Sequence, residues 1–387
     1  MDRQTQLRLA RELFNLIDCN GTSQAESFAL NPVTHYTCVA HLAREQARLF
    51  RAVPMMVGLS SELPCFGDYL TDDRCGVPIA VVRLADGGLS AFINVCRHRG
   101  ARVLEDRGTL AGSMVCPYHG WVYDLAGHLK TLGPAEDFQG LTCAERNLTR
   151  LVTHELHGLI WATPMSGPAL EPVAPMGSLA EEIASYHFEN FALYRQVQLD
   201  KSFNWKMVIE TFLENWHFPF VHRRTVLPIF LPSLSLFEAF GRHGRLIMPR
   251  RSILQMRDEP VDQWNLLKHS LVIYWLFPNT LLLWQGDHLE TWQVFPDQER
   301  PERCMAQVSL YTPQAATSAR ECKYWDKNMA LLLETVDGED FEISKRIQCG
   351  LRSGAQEHLT FGRHEPALQH FHRQIWLALE EGPAPAD

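Results

Sequence analysis

Cys96-Arg97-His98 and, further along, Cys116-Pro117-Tyr118-His119-Gly120-Trp121 put two thiols and two imidazoles into two short segments, one of each kind in either segment. Two thiolates on one iron and two imidazoles on the other are what one type of 2Fe–2S cluster requires. Exchanging two anionic ligands for neutral ones raises the reduction potential, so such a cluster suits electron delivery. The same four residues would also satisfy a structural Cys2His2 zinc site. Zinc motifs usually pair Cys with Cys and His with His, whereas each segment here mixes the two. Gly100, Gly108, Gly112 and Gly120 supply the turns that such loops need. The alternation favours the cluster.

A second set of candidate ligands runs through Asn204-Trp205-Lys206, Glu210, Glu214, His217, Pro219 and His222. Two neutral imidazoles and one carboxylate on one face, with the other positions open, describe a mononuclear Fe(II) site that binds oxygen beside a substrate. Pro219 is expected to distort or end a helix here, letting two imidazoles five residues apart turn toward one point. Alone, an aromatic-rich helix with two His is more often core than metal site. The Cys/His segments upstream reverse that balance. A carboxylate is still needed, and Gly338-Glu339-Asp340-Phe341 offers two. Spacing leaves Glu339 and Asp340 both open, beside the plain reading of a solvated acidic helix start.

Taken together, the motifs resemble the alpha (large, catalytic) subunit of the Rieske non-haem iron oxygenases, the aromatic ring-hydroxylating family. The matching stretches are Asn94-Val95-Cys96-Arg97-His98-Arg99-Gly100-Ala101, Cys116 to Trp121, and the Asn-Trp-Lys…Glu-x-x-His-x4-His run ending at His222. The resemblance implies that Cys96, His98, Cys116 and His119 hold a Rieske 2Fe–2S cluster. It implies that His217, His222 and Asp340 hold mononuclear Fe(II), with Glu339 the other candidate for the carboxylate. Glu214 matches the carboxylate that bridges cluster and iron, accepting from His217 and, across a subunit interface, from His119 or His98. Thr211 stands where many relatives have Asn, and Trp216 where Tyr is common.

The fold implied is α+β. An all-β Rieske 2Fe–2S domain is followed by a helix-grip catalytic domain, an antiparallel sheet wrapped on a long C-terminal helix. The expected divisions are N-terminal helices packing on the catalytic domain (1–50), the Rieske domain (51–163), a Pro/Gly-rich linker (164–178), the catalytic domain (179–380) and a tail (381–387). Within the first, apolar stripes at helical spacing include Leu7, Ala10, Phe14 and Ile17, with a break at Asn31-Pro32. In the second, short β-like runs cover 77–84, 89–95, 113–116, 121–124 and 156–162, and Asp86-Gly87-Gly88 marks a hairpin turn. In the catalytic part the sequence predicts a helix over 179–186, a strand over 192–201 and a helical run from Trp205 to about Phe218. Apolar segments at 246–255, 270–276, 280–286, 289–296 and 303–312 suggest a sheet, followed by an amphipathic helix over 317–349 that Asp337-Gly338 could break.

Length and composition fit this division. The chain has 387 residues, enough for two domains with sizeable cores, and 46% hydrophobic residues. A net charge of −9 argues against a general nucleic-acid binder and suits a basic redox partner. The charged N-terminus lacks the apolar core of a secretory signal, and the longest apolar run, 271–284, is too short to span a bilayer. A cytoplasmic location without membrane or nucleic-acid partners is expected. Eight of the ten Cys lie outside ligand spacing and are read as small buried hydrophobes.

No Gly-x-Gly-x-x-Gly follows a strand, so NAD(P)H is expected to act through a separate reductase, with or without a ferredoxin. The resemblance further implies a head-to-tail homotrimer, with which a beta subunit is compatible. The expected reaction is O2-dependent hydroxylation of a small organic, aromatic substrate. Phe212, Trp216, Phe230 and Trp292, among other aromatics, could line an apolar pocket. The second expectation is monooxygenation or oxidative demethylation of a quaternary or methylated amine. Glu214, the Glu339-Asp340 segment and the length also resemble the choline- and carnitine-oxidising branch, where an aromatic cage would hold the cation.

Overall fold

The computed structural model describes residues 1–165 and 176–381. Most of the expected linker and nearly all of the expected tail therefore lie outside the described residues. The chain divides into two compact units, one of residues 50–175 with 187–190, the other of residues 1–49, 176–186 and 191–387.

The first unit is all-β apart from short 3-10 turns. A five-stranded antiparallel sheet runs in the order Arg150–Leu151, Leu89–Ile93, Ile79–Arg83, Asp68–Asp72, Arg107–Thr109. Two three-stranded sheets join it, one of Thr153–Leu156, Leu159–Ala162 and Met55–Leu59, the other of Ser113–Val115, Val122–Asp124 and Leu129–Thr131. The turn at Asp86-Gly87-Gly88 connects Ile79–Arg83 to Leu89–Ile93, with Gly87 at φ +82°. A small core of Ala80, Val82, Phe92, Met114, Trp121, Tyr123 and Leu129 fills the space beneath the Cys96 and Cys116 loops. Burying these side chains stabilises a unit too small to hold long loops by backbone pairing alone.

The second unit is built on a seven-stranded antiparallel sheet. Its order is Ala192–Lys201, Cys304–Thr312, Leu289–Pro296, Thr280–Trp284, Ser270–Leu276, His243–Pro249, Leu236–Phe240, so that all but the first strand form a meander. Ser270–Leu276 and Leu289–Pro296 are buried at every position, because helices cover the sheet where alternation would otherwise leave one face wet. The apolar run 271–284 forms a hairpin, turning at Pro278-Asn279. Residues 250–255 leave the sheet, since Ile253–Met256 is a helical turn.

Three corrections concern helices. The run expected from Trp205 to Phe218 stops at Glu210. Pro219 does not end or distort a helix but sits in the first turn of a new short one, Phe218–Val221, where its missing N–H costs nothing. The long helix is not broken at Asp337-Gly338. Ala319–Thr335 passes through a π-helical turn, Val336–Asp340, into Phe341–Leu351.

The N-terminal segment packs on this unit through helix Arg3–Asp18, as Phe14 meets Trp264 at 5.1 Å between ring centroids. It also supplies a strand that the sequence reading missed, Ala29–Pro32, paired antiparallel with His358–Phe361. A closing helix, Pro366–Glu381, was likewise not expected. All ten Cys are free, and the eight outside the ligand pairs are not uniformly buried: Cys19, Cys65 and Cys349 are exposed, Cys75 and Cys304 buried.

Candidate active site and metal centres

The two Cys/His loops are near copies of one another. In each, the Cys amide donates across the loop, Cys96 to Ala101 O and Cys116 to Trp121 O, both at 2.8 Å. In each, a glycine amide donates back to the Cys carbonyl at 3.0 Å, from Gly100 and from Gly120. Both glycines have positive φ, +82° and +70°, which side chains rarely adopt. Asn94 pins the first loop, donating to Leu104 O at 2.7 Å and accepting from the amides of Val103 and Leu104. Tyr123 stands beneath it, its hydroxyl accepting from the Arg97 amide and 3.4 Å from the Cys96 sulfur.

Cys96 and Cys116 are buried, while the His98 ring stacks on Trp121 and lies 4.6 Å from the His119 ring. Two observations test what such a pocket fits. Buried His98 Nδ1 has no hydrogen-bond partner among the described residues, as suits a nitrogen kept for a metal. Burial also pushes the Cys96 thiol up, so a thiolate there calls for a compensating cation. A single zinc would draw its four donors to within about 4 Å of one another. Among the described residues, however, the one set of three or more such donors converging within 4.8 Å is elsewhere. One Cys and one His from each loop supply two thiolates and two imidazoles, the donor set of a binuclear cluster of this type.

That converging set is His217, His222 and Asp340. Its scaffold starts with Asn204-Trp205-Lys206. The Asn204 side chain caps helix Trp205–Glu210 and donates to Pro301 O at 2.7 Å, while its amide donates to Gln348 Oε1 at 2.8 Å. Trp205 Nε1 and Lys206 Nζ both donate to the buried carboxylate of Glu45, at 2.8 and 2.6 Å. Glu210, at the helix end, accepts from Tyr36 at 2.7 Å and His372 at 2.9 Å. The motif thus anchors the helix at both ends, and the chain then leaves it in a turn that carries His217.

Glu214 shapes that turn. Its Oε2 accepts from the Trp216 amide at 2.5 Å and its Oε1 from His217 Nδ1. Glu339 does the same for the other ring, accepting from His222 Nδ1 at 2.7 Å and from the Thr225 hydroxyl at 2.6 Å. Each imidazole is therefore oriented by a carboxylate on Nδ1, and both Nε2 atoms face Asp340. The triangle has edges of 3.2 Å (His217 Nε2 to His222 Nε2), 3.4 Å (His217 Nε2 to Asp340 Oδ1) and 2.9 Å (His222 Nε2 to Asp340 Oδ1). Edges near 3 Å are those of one face of an octahedron with metal–ligand distances of about 2.1 Å.

Asp340 reaches this position from the π-helical turn, a feature common at functional sites because it rotates side chains relative to the flanking helix. It is buried, not part of a solvated helix start. Glu339, the competing carboxylate, faces the far nitrogen of His222 instead. Burial pulls the His222 pKa down, but Asp340 and Glu339 outweigh it and raise it, so the pocket favours positive charge. A divalent cation meets the same field.

The triad opens on a cavity of about 450 Å³ between the sheet and the long helix. Phe212, Phe218 and Phe230 line it with Ile273, Leu283, Leu332 and Val336, and so does Thr211, one of the two departures from the family pattern. Trp216, the other departure, lies 4.4 Å from the His364 ring and is partly exposed. Trp292 is core, packed on Phe212 and Phe341. One wall was not anticipated. Arg250, Gln285, Asp287, His288, Glu290 and Tyr324 also line the cavity. The signal was present in Gln285-Gly286-Asp287-His288-Leu289-Glu290, a polar interruption between two apolar strands.

A fold of this kind carrying these two centres is that of a Rieske-type terminal oxygenase. Residues 188–381 match the ring hydroxylating alpha subunit (catalytic domain) family and residues 53–143 the Rieske [2Fe-2S] domain, and the chain belongs to this family. It is 26% identical over 358 residues to choline monooxygenase of Beta vulgaris, covering 89% of this chain and 76% of that protein. It is 28% identical over 370 residues to putrescine 2-hydroxylase of Bordetella bronchiseptica, covering 88% and 82%. The quaternary ammonium Rieske monooxygenase CntA, solved with L-carnitine, has the same fold, with a TM-score of 0.77 at 19% identity over 94% of this chain and 98% of that one. So does naphthalene 1,2-dioxygenase from Rhodococcus sp., with a TM-score of 0.73 at 17% identity over 98% and 99%. Among the described residues, no helix is long and apolar enough to cross a membrane.

Proposed function

We propose that this oxygenase acts on a small aliphatic ammonium compound, by hydroxylation or oxidative demethylation beside the nitrogen. The observation that carries the reading is the composition of the cavity. Aromatic rings flank the triad, and a charged wall of Arg250, Asp287, His288 and Glu290 lines the same space. Aromatic faces attract a methylated cation. A wholly hydrocarbon substrate would strip water from the charged wall and return no hydrogen bonds. The relatives matched over most of the chain are named for choline and putrescine, both nitrogen cations. Aromatic hydroxylation, the first expectation from the sequence, draws support only from a shared fold that also houses carnitine chemistry.

The groups bound at the two centres would supply reductive activation of O2, with electrons from a separate reductase. The chain's own residues do the positioning. Cys96, His98, Cys116 and His119 would hold the cluster, and His217, His222 and Asp340 the iron. Glu214 and Glu339 hold the two imidazoles in the tautomer that leaves Nε2 free as a ligand. Phe212, Phe218 and the aliphatic wall exclude water from the reacting face. The same reading includes NAD(P)H behind the reductase, with or without a ferredoxin, and a head-to-tail trimer in the cytoplasm. There, Glu214 would also accept from His119 or His98 of the next subunit.

The experiment is turnover of the holoenzyme with a surrogate reductase on a mixed panel of methylated ammonium compounds, diamines and small arenes. Substrate-dependent O2 uptake with formaldehyde or a hydroxylated amine as product is expected. Product from arenes alone would overturn the reading.

A further inference from the structure

Arg250 is an unusual presence in this cavity. A line of rings leads from the iron ligands to it: His222 to Phe218 at 5.3 Å, Phe218 to Phe230 at 5.8 Å, and Phe230 to the Arg250 guanidinium at 5.4 Å. Its Nη2 donates to Gln285 O and Oε1 at 2.8 and 2.9 Å, both neutral acceptors. Its Nε is buried without a partner, and Thr335 Oγ1, on the same cavity, is likewise unsatisfied. No ion pair to a carboxylate is made by Arg250 among the described residues.

The acids nearby are already engaged. His288 lies between them, its Nδ1 2.6 Å from Asp287 Oδ1 and its Nε2 3.3 Å from Glu290 Oε1. Tyr324 donates to Asp287 at 2.6 Å and Gln285 Nε2 to Glu290 at 3.2 Å. Burial pulls the His288 imidazole down, yet its bonds to Asp287 and Glu290 outweigh that and raise its pKa to about 9, so it is a cation at neutral pH. Burial lowers the pKa of Arg250 as well, with Glu290 and Asp287 across the wall opposing the shift without hydrogen-bonding to it. A guanidinium presents its donors in a planar fork that suits a carboxylate, and an unsatisfied buried N–H is costly until something accepts it.

We propose that Arg250 is a substrate-specificity residue that binds a carboxylate, so that the substrate is a zwitterion with its methylated ammonium toward His217, His222 and Asp340 and its carboxylate on Arg250. This rests on the ammonium reading above and narrows it. The hydroxyl of an amino alcohol would offer Arg250 one more neutral acceptor of the kind it already has in Gln285. A carboxylate would accept from the Arg250 fork through charge-assisted bonds, the stronger kind.

The test is calorimetric binding to the holoprotein of trimethylammonium carboxylates with one, two or three methylenes, each beside the corresponding terminal alcohol. The all-carbon isosteres of the carboxylates, with a tert-butyl group in place of trimethylammonium, form a third arm. At least one carboxylate is expected to bind roughly tenfold or more tighter than its alcohol, the usual scale for a charge-assisted hydrogen bond. Arg250→Gln should bring that ratio close to one, chiefly by weakening the carboxylates. Arg250→Lys, which keeps charge but loses the fork, should fall between. The cluster spectrum and circular dichroism check that both variants are folded, and the wild-type ratio needs no variant at all. Alcohols that match the carboxylates, or a ratio that survives Arg250→Gln, would overturn the carboxylate anchor and leave the ammonium reading standing. Arg250-dependent binding of the all-carbon carboxylates alone would do the reverse. If no member of the three arms binds, both are wrong.

Discussion

The two candidate metal sites solve the same problem, holding several donors toward one place, by opposite means. In the Cys/His loops every donor belongs to two short segments, and backbone geometry does the holding. Paired amide bonds and two positive-φ glycines shape both loops alike. In the triad the donors come from two distant stretches, and side chains do the holding. Glu214 and Glu339 fix the rings, and the π-helical turn delivers Asp340. The first site is set by local conformation and should be all-or-none. The second is assembled by tertiary packing and should weaken in steps.

The largest effects should separate the two sites cleanly. Asp340→Ala removes the one carboxylate inside the triangle, and iron content should fall from about three per chain to about two, with product formation lost. The visible spectrum of the cluster should stay. Cys116→Ser or His98→Ala should do the converse, bleaching the spectrum and unfolding the loops while mononuclear iron stays on the triad. Metal analysis beside absorption spectroscopy distinguishes these outcomes. A single substitution that emptied both centres would contradict the division.

This contrast also explains what could be read from the sequence. Cys96, His98, Cys116 and His119 were legible because a loop that closes on itself writes its ligands and its turn glycines side by side. His217 and His222 were legible as a spacing, but the helix before them was drawn too long. Glu214 turns its carboxylate back onto the Trp216 amide, and that local competition with helical hydrogen bonding leaves no periodic signature. Spacing could not choose between Glu339 and Asp340, since one residue's rotation in a π turn decides which of them faces Nε2. Strand Ala29–Pro32 depends wholly on its partner His358–Phe361. The charged wall was legible only as the polar interruption from Gln285 to Glu290: Arg250 follows strand His243–Pro249 and Glu290 lies on Leu289–Pro296, and only the folded sheet brings them to one cavity.

Intermediate effects should sharpen the comparison within the triad. Glu339→Ala leaves His222 unbraced, and iron affinity should drop by roughly 10–100-fold, measured by chelator competition. Glu214→Gln differs, because the amide oxygen still accepts from His217 Nδ1 while the charge is gone. It should keep both metals, yet oxidation of the reduced cluster by O2 in the presence of substrate should slow at least about tenfold, if Glu214 aligns rings of both centres. Stopped-flow single turnover reads this directly. A Glu214→Gln protein that loses its iron would make Glu214 a mere brace, like Glu339.

The smallest effect concerns the charged wall and appears in stability, not in metal content. His288 has a pKa raised from the ordinary 6.5 to about 9, burial opposing and Asp287 and Glu290 prevailing. A pKa raised by folding means that the native state holds the proton more tightly than the unfolded chain does. The stabilisation is therefore complete below pH 6.5, shrinks as pH climbs, and is gone once pH passes about 9. Its full size is on the order of 3 kcal/mol at most. His288→Gln keeps hydrogen bonding to the two acids but cannot titrate. Urea midpoints for the two proteins should lie furthest apart near pH 6 and converge toward pH 9.5 as the wild type loses its advantage. The loss should be confined to the catalytic unit, so the cluster spectrum should not follow it. Parallel midpoints across that range would mean that His288 is neutral in the folded protein, which would leave Asp287 and Glu290 free to attract the substrate's ammonium themselves.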